Sequence, residues 1–168
     1  ACAWEGAHSA GGGVWDVFEG CQWQFWFTGV VAGQRLGGPR ETVYVVLTLF
    51  TGVGEGDRFV STLLERFEPR VDQPAEFARV NRVLLLKARS GVGLDIALGG
   101  LPFEALAVSR ATLFTFPPDI PLRICSAEDL IVLKAFADLP KDWVDVDGII
   151  LRQAGPIVCD YVPLHLAP

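Results

Sequence analysis

The run from Thr42 to Phe50, Thr-Val-Tyr-Val-Val-Leu-Thr-Leu-Phe, constrains the fold of this chain more than any other stretch. It holds no glycine, proline or charge. Its β-branched and aromatic residues suit a pleated, half-buried surface better than a helix. Side chains alternate across a strand, so Val43, Val45, Leu47 and Leu49 point one way into a core. Thr42, Tyr44, Val46, Thr48 and Phe50 point the other way. Upstream, the aromatic-rich stretch Gln22 to Phe27 reads as the first strand. Gly29 then permits a tight turn into a helix around Val30 to Leu36, ending near Gly37-Gly38-Pro39-Arg40.

The flanking segments supply the rest of a layered domain. Residues 1–13 are rich in Ala and Gly and read as a flexible N-terminal segment, and a helix follows from Val14 to Glu19 with Gly20 as its stop. Thr51 to Gly56 has the look of a phosphate loop but lacks the Walker lysine, so it reads as a plain turn. Asp57 is the expected N-cap of a helix carrying Phe59, Val60, Leu63, Leu64 and Phe67. A polar connection over 69–79, with a helical turn near 75–80, leads to a strand at 82–89. Ser90-Gly91 turns that strand back into 92–98 as a hairpin. A helix from Pro102 to about Ser109, an edge strand at 112–116 and a short extended run at 122–125 come next. Ser126 caps a helix that presents Leu130, Leu133 and Ala137 inward and Lys134 from a neighbouring face. A further helix opens near Asp142 and stops at Gly155-Pro156. This order predicts an α/β (α+β) domain over 14–168: a mixed sheet flanked by helices, with a helical C-terminal part over 126–166.

Composition narrows the function classes. With 51% hydrophobic and 20% charged residues over 168 positions, the chain is globular. No apolar run approaches the roughly 20 residues of a membrane helix, and neither a membrane partner nor a secretory leader is expected. The net charge of −6 argues against broad electrostatic coating of nucleic acid. It leaves room for a local basic pocket from Arg35, Arg40, Lys134 and Lys141. Cys2, Cys21, Cys125 and Cys159 show no C-x-x-C spacing and the chain has 2 His, so reduced thiols in a cytoplasmic protein are expected in preference to a zinc site.

One carboxylate stands out. In the second hairpin arm Val92, Leu94, Ile96 and Leu98 share a face, while the other face shows Gly93, Asp95 and Ala97. An acid flanked by two of the smallest residues points to a crevice; the plainer alternative is a solvent-facing strand residue. Lys134 is equally readable as a snorkelling surface lysine, and Lys141, Asp142 and Asp145 as helix-entry charges. Ser126 and Asp129 read as a cap.

Several motifs in order carry a resemblance. Gly29…Gln34-Arg35-x-x-Gly38-Pro39-Arg40-x-Thr42 precedes the strand; Gly93-Leu94-Asp95-Ile96-Ala97-Leu98, Ser126-Ala127-Glu128-Asp129-Leu130-x-x-x-Lys134 and Lys141-Asp142-x-x-Asp145 follow it. Together, over roughly 14–155, they resemble the polymerase-β-type nucleotidyltransferases, closest to the branch of small AbiEii-type toxin transferases. The resemblance implies transfer of an NMP from an NTP, with Mg²⁺, to an RNA, protein or small acceptor, and an antitoxin partner. It implies an Asp-x-Asp pair on one strand face plus a third Asp, all binding metal, and a glycine turn near the phosphates. Asp95 falls on the third carboxylate and Lys134 on a triphosphate-reaching lysine, while Gly29, Arg35, Arg40, Lys141 and Asp142 fall on nucleotide-binding positions. The Asp-x-Asp positions fall on Tyr44 and Val46, and the second turn glycine on Val30. A phenol and an isopropyl group cannot replace carboxylates around Mg²⁺. The alternative to transfer is therefore a catalytically degenerate domain that binds a nucleotide or a partner, with Tyr44, Val46 and Asp95 converging beside Gly29.

Overall fold

A computed structural model of the chain describes residues 3–29, 32, 44–117, 119–152, 157 and 161–162. Its elements run α1 (Ala3–Gly20), β1 (Phe25–Phe27), β2 (Tyr44–Phe50), α2 (Gly56–Leu64), β3 (Glu68–Pro69), α3 (Pro74–Asn81) and β4 (Val83–Lys87). Then follow β5 (Gly93–Gly99), α4 (Pro102–Arg110), β6 (Thr112–Phe116), β7 (Ile120–Ile124), α5 (Ala127–Ala137) and α6 (Pro140–Arg152). The strands form one mixed sheet in the order β3-β4-β5-β2-β1-β7-β6. β2 lies at its centre, antiparallel to β1 and parallel to β5.

Burial follows the alternation of the central strands. Val45, Leu47 and Leu49 are fully buried, as are Leu94 and Ile96 of β5. All three residues of β1 are buried, as expected of an inner strand covered on both faces. Phe25 meets Phe18 of α1 edge-to-face at 4.9 Å and Trp15 at 5.3 Å, which seats α1 on the sheet. The hairpin forms as expected, with Gly91 at φ +88° and the Ala88 N–H donating to the Val92 carbonyl.

Local propensity misplaced some boundaries. α1 begins at Ala3, well before Val14, and runs through Gly11-Gly12-Gly13. Each glycine costs about 1 kcal/mol relative to alanine in a helix interior. Ala10, Val14 and Phe18 repeat at helical spacing and are all buried, and this packing outweighs the local cost. Asp57 is not the N-cap of α2. The helix starts at Gly56 with Glu55 before it, so Asp57 sits in the first turn, where its charge faces the positive helix end. The 69–79 connection contains a full helix, α3, and Glu68–Pro69 form a two-residue edge strand against β4. The expected helix from Val30 to Leu36 and the tail after Gln153 lie largely outside the described residues. Among the described residues no helix is long and apolar enough to cross a membrane.

Candidate functional site

The exposed end of the central strands gathers several of the singled-out residues on one face. β2 and β5 are parallel, and their register pairs Tyr44 with Gly93 and Val46 with Asp95. On the far side of β5, Asp95 is opposite Leu85 of β4. The chain leaving β1 passes beside Val46: the Thr28 N–H donates to the Val46 carbonyl at 2.9 Å. Gly29 follows at φ +59°, and a Cβ built there would stand 3.0 Å from the Val46 Cβ. Only glycine satisfies both the backbone angle and the contact. Gly29, Val46 and Asp95 therefore stand side by side, with Tyr44 one turn of the pleat away.

Arg70, which the sequence did not single out, completes this arrangement. Its backbone N–H donates to the Leu85 carbonyl at 3.0 Å, just past β3. Its Nε donates to the Leu86 carbonyl at 2.8 Å, which anchors the side chain across β4. The Nη2 then donates to Asp95 Oδ1, forming an ion pair in which the side chains are 24% and 32% exposed. The Arg70 Cζ lies 4.9 Å from the centre of the Tyr44 ring. Gly93 makes room for this stack, because a Cβ there would run into the Tyr44 ring and approach the Arg70 Cζ to 3.2 Å. Tyr44 itself is 44% exposed.

Lys134 and Asp142 come together elsewhere, between α5 and α6. The Lys134 Nζ donates to Asp142 Oδ1 at 3.1 Å and to Asp145 Oδ2 at 2.6 Å. Lys134 is 12% exposed, so its charge is matched within the fold and it is not a snorkelling surface group. Lys141 is exposed on α6. Arg35 and Arg40 lie outside the described residues.

Asp129 has more to do than cap a helix. Ser126 does cap α5, accepting from the Asp129 N–H at 3.1 Å. The Asp129 carboxylate is itself fully buried and accepts from Arg110 Nη2 at 2.6 Å, Ser126 Oγ at 2.9 Å and the Tyr161 hydroxyl at 2.7 Å. Arg110 also stacks over the Tyr161 ring at 4.4 Å. This network ties α4, α5 and the segment carrying Tyr161 into one unit.

The residues around Asp95 do not fit the Mg²⁺ ions that the resemblance implies. Such ions need several hard oxygen ligands. Here Asp95 pairs with the Arg70 guanidinium and has Val46 as its register partner, while the Tyr44 ring lies against that guanidinium. Among the described residues no group of three or more His, Cys, Asp or Glu side chains is placed to hold a metal ion.

The sequence matches no family model and no curated protein. Solved structures do resemble the fold. A lincosamide antibiotic adenylyltransferase, LnuA, in its lincomycin-bound form, superposes with a TM-score of 0.55 at 16% identity, covering 82% of this chain and 92% of that one. An antigenic nucleotidyltransferase-like protein from Paracoccidioides brasiliensis superposes with a TM-score of 0.56 at 16% identity, covering 87% and 74%. With its mixed sheet and flanking helices, this chain has a nucleotidyltransferase-like fold.

Proposed function

We propose that this chain is a catalytically degenerate nucleotidyltransferase-fold domain that binds a nucleotide without transferring its NMP. One observation carries the reading: the face that holds Asp95 presents Val46 in direct register and Tyr44 beside it, where the resemblance calls for two carboxylates. Neither side chain can ligate a hard cation, and one acid cannot supply the charge of a two-metal centre. The fold supports nucleotide binding at this place.

The competing reading is NMP transfer from an NTP with Mg²⁺ to an RNA or protein acceptor, with an antitoxin as partner of a cytoplasmic AbiEii-type transferase. It rests on the fold and the ordered motifs. One assay decides between the two. The purified chain, incubated with α-labelled NTPs, Mg²⁺ or Mn²⁺ and a total RNA and protein extract, is expected to give no label above a heat-treated control. Metal-dependent incorporation that survives Asp95→Asn would place the chemistry elsewhere; incorporation lost in that variant would establish the transferase and end the degenerate reading.

A further inference from the structure

We propose that Arg70 takes the place of the divalent cation on this strand face, so that a phosphate-bearing ligand binds there without metal. The inference rests on the nucleotide-binding reading above and adds how the ligand is held. A metal in such a site bridges protein carboxylates on one side and ligand phosphates on the other. The guanidinium carries one positive charge against the ion's two, and its donors can build the same bridge. It carries five N–H donors in a rigid fork. Nε is spent on the Leu86 carbonyl and one Nη2 donor on Asp95. The remaining donors have no hydrogen-bond acceptor among the described residues, and the side chain is 24% exposed.

The surroundings hold this cation in place. The Leu86 carbonyl, Asp95 and the Tyr44 ring fix the guanidinium on three sides. Gly93 leaves the space into which ring and guanidinium settle. A positioned arginine binds phosphate oxygens through paired charge-assisted hydrogen bonds, and little side-chain freedom is left to lose when the ligand arrives. Asp95 then changes role. It is an anchor for Arg70 that competes with the ligand for the same positive charge, and it is not a metal ligand.

That competition gives a test with opposite signs for the two kinds of site. ATP and inorganic tripolyphosphate are titrated into the intact chain by calorimetry, in EDTA and again with Mg²⁺. Expected is binding of at least one of them in EDTA, no tighter with Mg²⁺ because the ion shields the phosphates. Asp95→Asn is expected to tighten binding several-fold by releasing Arg70 from a competing anion. Arg70→Ala is expected to weaken it about tenfold or more, with part recovered in Arg70→Lys, which keeps the charge but loses the fork. If Arg70→Ala unfolds, Arg70→Met combined with Asp95→Asn removes both charges together and is expected to fold and bind weakly. Binding by neither probe in EDTA, binding only with Mg²⁺, or weakened binding in Asp95→Asn would each overturn the proposal. The transfer assay is independent of these outcomes: label incorporation would sink the degenerate reading, whereas Mg²⁺-only binding without incorporation would sink the role of Arg70 alone.

Discussion

Placing three acids on the Asp95 face gives the most direct check on its geometry. Val46 and Asp95 are register partners on parallel strands, which places their Cα atoms about 4.8 Å apart, with positions 44 and 46 about 6.6 Å apart along the strand. The triple variant Tyr44→Asp, Val46→Asp, Arg70→Ala puts three carboxylates on this face and removes the cation that now pairs with Asp95. Two unit charges about 5 Å apart repel by roughly 3 kcal/mol at an effective dielectric near 20. Without metal the variant is therefore expected to lose several kcal/mol of stability. A divalent ion at about 100 times its Kd restores about 2.7 kcal/mol, or roughly 5–10 °C of Tm in a chain of this size. Calorimetric melting in EDTA and in graded Mn²⁺ measures this, and the same titration with ATP reports metal-dependent nucleotide binding. The double variant that keeps Arg70 is expected to respond much less, because the guanidinium still occupies Asp95. A triple variant that melts at the same temperature with and without Mn²⁺, or a double variant that responds equally, would rule out this geometry.

Other perturbations test the supporting structure. Gly29→Ala combines a positive φ with a 3.0 Å approach to the Val46 Cβ; it should cost about 1–3 kcal/mol in chemical denaturation, and Val46→Ala in the same chain should recover part of the loss. Asp129→Leu should cost about 3–5 kcal/mol by leaving Arg110 and Tyr161 without their buried acceptor, and a double-mutant cycle with Arg110→Met should show strong coupling, since the pair leaves together. Lys134→Met removes the cation that pairs with both Asp142 and Asp145 and should cost about 3 kcal/mol, with a loss that shrinks when Asp145→Asn is added. Trp26 is fully buried and its Nε1 has no acceptor among the described residues. Trp26→Phe removes that unmet donor while opening a small void, so its stability should stay within about 1 kcal/mol of the parent, far less than so large a core residue normally costs.

Features that depend on neighbours in the chain were legible without the fold. Side-chain alternation gave the buried faces of β2 and β5, and turn chemistry gave the Ser90-Gly91 hairpin. The serine cap placed the start of α5. These come from backbone geometry and short-range hydrogen bonds, so a local pattern suffices to specify them. The relation between Asp95 and the Tyr44 and Val46 positions came only from the resemblance, and the parallel pairing of β2 with β5 is what brings Val46 and Asp95 into register.

Which charges meet is set by packing. Arg70 lies in a stretch whose composition suggested only a polar connection, yet β3 and β4 carry it to Asp95, 25 residues away in sequence. Tyr161 reaches Asp129 across 32 residues and turns a helix cap into a buried network. Lys134 looked free to reach a ligand until α6 folded back to bring Asp142 and Asp145 against it. Burial makes an unpaired charge too costly to keep, so each of these groups must find a partner. Which partner it finds depends on how strands and helices pack, and no periodicity in the chain records that choice.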